Sequence, residues 1–340
     1  MRRHPPLPAA RAIALRTAIV FGAIATAATL LSAQIEPLRL VSTAWSPFTN
    51  APGRPRFATD LVDAAFGRVG IKTITTIVEA AAFTPALLNG PYDGSAAAWK
   101  DNQREELLLF SQPYLENRLV LVGRKGADVS ATTWSALKGK KVAIVGGYAY
   151  GDIEGAGPSF VRSKSEEDSL TLLLHSQVDY TLMDELVVQY LLDNYEKEPQ
   201  TRLQIGSTPL ITRPLYVAIR QSRPDAEAII GQFNAQLRGM ILDRTYHKLL
   251  HVDWIRADLN GDGVPVYVPA SDQIGNTAPT HAYSLQSTAT PAPQAGSGAR
   301  FYLGGTIYQD WAAVPDTFKL SGSQVPDPRR STASVFKFVW

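Results

Sequence analysis

The sequence contains no cysteine among its 340 residues. A chain without thiols forms no disulfide, offers no thiolate nucleophile or cysteine-ligated zinc, and carries no lipid-modified cysteine. Its five histidines are scattered, and none belongs to an H-E-x-x-H pattern that would hold a catalytic zinc ion on a helix. We therefore expect neither thiol chemistry nor zinc catalysis, and no cofactor.

Positive charge is scarce outside the first 33 residues. The whole chain has 33 Lys and Arg against 31 Asp and Glu, which gives a formal charge of +2. Four arginines (Arg2, Arg3, Arg11 and Arg16) lie in those 33 residues, which hold no acid, so the remainder carries a net charge of −2. Such a body lacks the basic stripe that neutralises phosphates. We expect no nucleic-acid partner.

Residues 1–33 have the pattern of an export signal peptide. Behind the arginines, residues 17–35 are uncharged and contain Leu31-Ser32-Ala33, an imperfect A-x-A cleavage site. This pattern predicts cleavage after Ala33 and a periplasmic protein. An uncleaved membrane anchor is the alternative, because the apolar stretch is almost long enough to span a bilayer.

Beyond residue 37, short β-branched segments alternate with helical patterns. Thr73–Val78 is rich in β-branched residues, as strands are. Arg223–Met240 has an apolar face at helical spacing, with Pro224 in its first turn. This alternation is typical of an α/β fold with parallel strands.

The composition changes after Trp254. Residues 276–300 are rich in Thr, Ala, Pro, Ser, Gln and Gly and lack periodicity, which predicts a flexible linker. Residues 301–340 regain aromatic side chains. They predict a C-terminal appendix that either forms a few strands or packs onto the main body.

Residues 255–275 contain the beginning of a calcium-loop pattern. Asp258, Asn260 and Asp262 stand at alternate positions before Gly263, but the twelfth position is Pro269 instead of a bidentate glutamate. Two interpretations stay open: a structural calcium site formed by these three residues, or a plain Asn-Gly and Asp-Gly turn.

One stretch carries most of the functional information. Residues 87–93 have the form L..G..D, Arg104 follows, and six residues later the chain reads Phe110-Ser-Gln-Pro-Tyr114. A Leu137-Lys-Gly-Lys-Lys-Val142 segment comes next. In these motifs, over roughly residues 38–254, the chain resembles the bacterial extracellular solute-binding proteins of family 3, two-lobed receptors best known from amino-acid importers.

The resemblance implies a type II periplasmic-binding-protein-like α/β fold, in which each lobe is a mixed sheet flanked by helices. Lobe 1 would combine residues 38–124 with 219–254, and lobe 2 would span 125–218. The two crossing strands would lie near Leu119–Arg124 and Tyr216–Arg220. The resemblance further implies a monomeric receptor that closes by hinge motion on a small polar solute and serves an ABC permease in the inner membrane.

Two charged residues are implied to bind the solute. An arginine donates a planar pair of hydrogen bonds that matches a carboxylate, and the resemblance gives this role to Arg104. The alternative for Arg104 is a solvated arginine at a helix start. The resemblance gives Asp184 the role of holding an ammonium group. Because Asp184 directly precedes a helical pattern, an ordinary helix N-cap is an equally supported alternative.

Four further residues are implied to surround the solute. Trp45 would cover it with a flat apolar wall. Gly147 and Tyr148 stand where amino-acid receptors have Gly-Thr, so backbone donors stay while the threonine hydroxyl is lost. Trp99 and the nearby Ala97 replace hydroxyl residues and narrow the pocket. The identity of the solute therefore stays open between an amino acid and a related carboxylate.

Two other functions remain as alternatives. One is an enzyme on the same fold, such as a cyclohexadienyl dehydratase-like lyase, which needs a general acid near Glu154 or Glu185. The other is a sensory solute-binding module that works with a separate signalling chain. The leading interpretation is a receptor without enzymatic activity.

Overall fold

The computed structural model describes residues 36–320 except for 154, 195–201, 280–281 and 286–297. The predicted signal peptide and its anchor alternative lie outside the described residues. In the described ranges, no helix combines the length and apolar character needed to cross a membrane.

A first half-sheet forms around a central parallel strand. Its strands are β1 (Leu38–Thr43), β2 (Thr73–Val78), β3 (Gly94–Ala98) and β4 (Leu108–Phe110), joined by the C-terminal part of β10 (Ile211–Arg220). β1 lies between β2 and β3 and is parallel to both, whereas β10 runs antiparallel to β3 and β4. Gly94 allows β3 to approach β10, because a Cβ there would overlap the Ala218 carbonyl oxygen.

A second half-sheet repeats this arrangement. It contains β5 (Leu115–Arg124), β6 (Lys141–Val145), β7 (Ser159–Ser163), β8 (Tyr180–Asp184) and β9 (Leu203–Ile205). β6 lies between β7 and β8 and is parallel to both, and β5 is antiparallel to β8. In each half, therefore, three parallel strands end at one common edge, where ligands of open α/β sheets bind.

Strands β5 and β10 join the halves. They pair antiparallel from Leu115 opposite Leu215 to Leu119 opposite Ile211. The crossing strands expected at Leu119–Arg124 and Tyr216–Arg220 are parts of β5 and β10. The pairing of the two strands overlaps the first predicted segment only at Leu119 and ends one residue before the second, at Leu215. The lobe boundaries stay a prediction.

Seven helices flank these sheets in the described part of the chain. They are α1 (Phe57–Arg68), α2 (Ala80–Asn89), α3 (Asn102–Leu107), α4 (Glu166–Leu174), α5 (Glu185–Asn194), α6 (Ala226–Leu242) and α7 (Thr245–Leu250). Helices α1 and α6 bury apolar faces against each other, with the rings of Phe66 and Phe233 5.3 Å apart. The predicted helix at Arg223–Met240 is α6, which begins three residues later and ends two residues later.

The segment after α7 forms a separate five-stranded sheet. Its strands are β11 (Trp254–Ala257), β12 (Val266–Pro269), β13 (Tyr283–Ser284), β14 (Arg300–Leu303) and β15 (Thr306–Tyr308). The spatial order is β13-β11-β12-β14-β15. β13 lies inside the segment 276–300 that was predicted to be a linker. These residues form a strand because they pair with β11, and composition does not reveal such a contact. Of the predicted appendix, residues 301–320 belong to this sheet or pack on it, and residues 321–340 lie outside the described residues.

The sheet is anchored to the main body by buried hydrogen bonds. The Tyr283 hydroxyl donates to the carbonyl oxygen of Glu116 at 3.0 Å, beside the pairing of β5 with β10. Nε2 of His247 in α7 lies 2.9 Å from the carbonyl oxygen of Val268 in β12. The C-terminal sheet therefore contacts both helix α7 and strand β5, which joins the halves.

The Asp258 loop has the contacts of a turn. The Asp258 carboxylate accepts hydrogen bonds from the backbone N–H groups of residues 260–263. The Asp262 carboxylate is held by two hydrogen bonds from Arg300, at 2.8 and 2.9 Å. Among the described residues, no three His, Cys, Asp or Glu side chains gather where they could hold a metal ion. These contacts agree with the turn interpretation, and calcium binding by Asp258, Asn260 and Asp262 stays a prediction.

Candidate ligand-binding site

A cavity lies at the common edge of the parallel strands, between the two halves. It encloses about 340 Å³ between atoms, part of it open to solvent, and leaves only about 30 Å³ for the centre of a water-sized sphere. Its lining comes from both halves: Ser42, Thr43, Trp45, Phe83, Ala97, Ala98, Trp99, Arg104, Leu215 and, from the loop after β6, Tyr148 and Ala149. This space is large enough for water molecules and too small for an amino acid. A larger solute requires the halves to separate or the aromatic side chains to move.

Arg104 is the charged group of the cavity. Asp101 caps α3 by accepting a hydrogen bond from the Arg104 backbone N–H at 2.8 Å, and the Arg104 residue is 3% exposed. Its guanidinium donates to the Trp99 carbonyl oxygen at 3.0 Å and to the Thr84 hydroxyl at 2.9 Å. A third, longer contact of 3.5 Å reaches the Gly147 carbonyl oxygen.

The guanidinium keeps donors for a ligand. Nε of Arg104 makes no hydrogen bond with any described residue, although it lies 3.3 Å from an Asp101 carboxylate oxygen. Burial lowers the pKa of Arg104, and the charge of Asp101 opposes this shift. Since a guanidinium has five N–H groups and the three contacts above use one on Nη1 and both on Nη2, the Nε–H and one Nη1–H remain within the described part of the chain. These two point in different directions, so a carboxylate accepts a parallel pair only by replacing the long contact of Nη2 with Gly147.

Three aromatic rings form the wall of the cavity. The Trp45 and Trp99 rings meet at 5.6 Å with their planes perpendicular. The ring of Tyr148 lies 5.7 Å from each of them. Because Trp45 and Trp99 follow strands of the first half-sheet and Tyr148 follows β6, the wall is assembled from both halves.

The same loop after β6 touches the first half at two more points. The hydroxyl groups of Thr43 and Tyr148 lie 3.5 Å apart. Gly147 has φ of +89°, and a Cβ on it would lie 2.6 Å from the Ala80 carbonyl oxygen at the start of α2. Only a residue without a side chain fits this backbone at this approach. The structure therefore has the two halves in contact around the cavity.

Asp184 lies at the end of β8 and does not line the cavity. Its carboxylate accepts from the backbone N–H groups of Leu186 at 2.8 Å and Arg118 at 2.9 Å, and from the Asn117 side chain at 3.1 Å. Asn117 in turn accepts from Nε1 of Trp99 at 2.8 Å. The bond to Leu186 is that of an N-cap for α5. Burial raises the pKa of Asp184 to about 7. Its contact with a ligand stays a prediction.

A second buried carboxyl group near the cavity was not anticipated. Glu166 is the first residue of α4, after the N-cap Ser165, and is 7% exposed. Burial raises its pKa to about 8, while a hydrogen bond with the Tyr148 side chain acts in the opposite direction. Three acids in succession, Glu166 to Asp168, resemble an ordinary first helical turn, so no local pattern indicates that the first is buried.

The remaining cavity residues were accessible to sequence reasoning only in part. Ser42 and Thr43 end the first parallel strand, and the rule that ligands bind at carboxyl ends of strands points to them. Phe83, Ala149 and Leu215 are apolar residues, and nothing in the sequence distinguishes them as cavity residues. Glu185, considered as a catalytic acid, forms an ion pair with Arg118 at 2.9 Å. Glu154 lies outside the described residues.

Solved proteins with the same fold are two-lobed periplasmic binding proteins of type II. A mutant of ArgBP from T. maritima is 24% identical and superposes with a TM-score of 0.52 over 63% of this chain and 93% of its own. An arginine transport-system periplasmic binding protein from Legionella pneumophila is 22% identical, with a TM-score of 0.52 over 63% of this chain and 98% of its own. The GluR0 ligand-binding core from Nostoc punctiforme, in complex with L-glutamate, is 20% identical, with the same score over 63% and 97%.

The model of the bacterial extracellular solute-binding proteins, family 3, matches residues 41–256. The chain belongs to this family. The matched range ends inside β11, so most of the five-stranded sheet lies beyond it. No curated protein sequence matches the chain. Because the family consists of binding proteins, the protein is a solute-binding protein and not an enzyme.

Proposed function

We propose that the protein is a periplasmic receptor that captures a small carboxylate-bearing solute, an amino acid or a related acid, between its two halves by hinge closure. The observation that carries this proposal is the buried Arg104 guanidinium, which lines a cavity walled by both halves and whose Nε makes no hydrogen bond with any described residue. Proteins of the same fold that bind arginine or glutamate support it. The mature receptor acts as a monomer and presents the solute to an ABC permease in the inner membrane.

Closure explains how such a receptor couples binding to shape. When the loop after β6 meets the first half, it removes water from around Arg104, and a carboxylate held there interacts more strongly than in water. Trp45, Trp99 and Tyr148 cover the solute, and the bonds across the cleft form together. A solute that binds the closed form better than the open form shifts the population towards closure. The permease would recognise that closed shape.

Thermal unfolding with a panel of small carboxylates and their methyl esters tests the proposal. At 100 times its dissociation constant, a ligand stabilises the folded state by about 2.7 kcal/mol. We expect at least one carboxylate to raise the melting temperature, while its methyl ester, which lacks the charge, does not.

Two variants serve as controls for this panel. Arg104→Lys keeps the charge but loses the planar pair of donors, so the carboxylate should no longer raise its melting temperature. The exposed Arg238→Lys should respond like the wild type. Esters that stabilise as well as acids, or an unchanged response of Arg104→Lys, would contradict the proposal.

A further inference from the structure

The cavity contains a fixed positive charge without a fixed negative charge. Among the described residues that line it, Arg104 is the only one with a charged side chain. The others are aromatic, aliphatic or, at Ser42 and Thr43, hydroxyl-bearing. A zwitterionic amino acid presents an ammonium group one carbon from its carboxylate. A site built for an amino acid therefore needs a negatively charged hydrogen-bond acceptor near the arginine.

The nearby carboxyl groups do not supply that acceptor. Asp184 is separated from the cavity by Trp99 and Asn117, and three donors already occupy its oxygens. Glu166 lies behind Tyr148, with which it shares a hydrogen bond. Asp101 faces the Nε side of Arg104 and caps α3. Burial also raises the pKa of Asp184 and Glu166, which favours their uncharged forms.

The backbone carbonyl groups beside Arg104 are also engaged. The carbonyl oxygens of Trp99 and Gly147 accept from Arg104. The aromatic rings meet one another edge to face, and Phe48 stacks on Trp45 at 4.5 Å, so the ring faces do not form an open cage for a cation. An ammonium group moved from water into this cavity would lose its hydration and gain no charged partner, since the hydroxyl groups of Ser42 and Thr43 are neutral.

From this placement of charges we infer that the solute is a monocarboxylate without an α-ammonium group, with a flat or branched apolar body that packs against Trp45, Trp99 and Phe83. The inference rests on the proposed function and narrows its substrate class. The carboxylate accepts hydrogen bonds from the Arg104 guanidinium. The hydroxyl groups of Ser42 and Thr43 accommodate a small neutral polar substituent on the same solute.

Calorimetric titration of the mature protein with matched pairs of ligands tests this inference. The pairs are 3-phenylpropanoate with phenylalanine and 4-methylpentanoate with leucine, which differ only in the ammonium group. Benzylamine serves as the cation without a carboxylate. We expect the acid of at least one pair to bind at least 100-fold more tightly than its amino acid, and benzylamine not to bind.

A pair of variants at Ala97 makes the charge argument specific. Ala97 lines the cavity and is 7% exposed. Ala97→Asp would add the missing negative charge and should shift the ratio of affinities at least tenfold towards the amino acid. Ala97→Asn has nearly the same shape without the charge and should keep the preference of the wild type.

The outcomes separate this inference from the proposed function. An amino acid that binds as tightly as its deaminated partner, in a manner that Arg104→Lys abolishes, overturns the inference and leaves the receptor proposal standing. Absence of binding by every carboxylate, amino or not, contradicts both. An equal shift of the ratio in Ala97→Asp and Ala97→Asn would also overturn the inference, because shape and not charge would then decide it.

Discussion

Replacing Gly147 with alanine is expected to weaken solute binding about 100-fold, which corresponds to about 2.7 kcal/mol. The added Cβ would lie 2.6 Å from the Ala80 carbonyl oxygen, far inside ordinary contact distance. Because Ala80 begins α2 and Gly147 follows β6, the two halves must move apart to relieve the clash. The variant therefore disfavours the closed form, in which the solute is held, more than the open one.

Backbone strain is the other effect of this substitution, and Gly126→Ala controls for it. Gly126 has φ of +83°, close to the +89° of Gly147, but its added Cβ would meet nothing within 4 Å. Both variants should lose stability by about 1 kcal/mol or more from the positive φ. Only Gly147→Ala should also lose affinity in calorimetric titration. Equal affinities for the two variants would show that the approach of Gly147 to Ala80 is not part of the binding form.

Stability should fall as the pH rises from about 5 to 8, and Glu166 should account for a measurable share of the fall. Burial raises the pKa of Glu166 from 4.5 to about 8, so between these values the folded state binds a proton that the unfolded state has released. The free energy of unfolding then decreases with pH by at most about 1.4 kcal/mol per pH unit for this group. Asp184, whose pKa burial raises to about 7, contributes with the same sign.

Urea unfolding of Glu166→Gln across this pH range measures how much of the loss of stability is due to Glu166. The amide resembles the protonated acid, so the variant should match the wild type near pH 5 and be the more stable protein near pH 8. Glu167→Gln removes the same charge from the next, exposed residue of α4 and should keep the slope of the wild type. A Glu166→Gln slope equal to that of the wild type would place a charged and solvated carboxylate at this position.

The fold was predictable where the signal is local. Strand β2 has the predicted bounds, and helix α6 lies within three residues of its predicted bounds, because β-branched composition and apolar spacing are properties of neighbouring residues. Strand β3 was missed because Gly94-Ser-Ala-Ala-Ala98 has low β propensity. It is a strand because it lies buried between β1 and β10, where small residues allow close approach.

The site was predictable to the extent that motif spacing fixes positions. Arg104, Trp45, Trp99 and Tyr148 were named from the sequence, and the structure brings them to one cavity. Gly147 lies beside the cavity through its carbonyl group, while Asp184 lies behind Trp99. The sequence supported a ligand contact and an N-cap equally for Asp184. The choice between these two roles depends on Asn117, which contacts Asp184 from β5, and on Trp99, which contacts Asn117. Contacts between residues so far apart in the chain leave no local pattern.

The Nε–H signal of Arg104 in a proton–nitrogen correlation spectrum tests the central claim most directly. Nε makes no hydrogen bond with any described residue, although an Asp101 carboxylate oxygen lies 3.3 Å away, so a carboxylate bound to the guanidinium would change the surroundings of this N–H group. The signal is assigned by its absence from Arg104→Lys. On titration with 3-phenylpropanoate it should move and saturate with the dissociation constant found by calorimetry. Saturable binding that leaves this signal unmoved would contradict the claim that Arg104 holds the carboxylate of the solute.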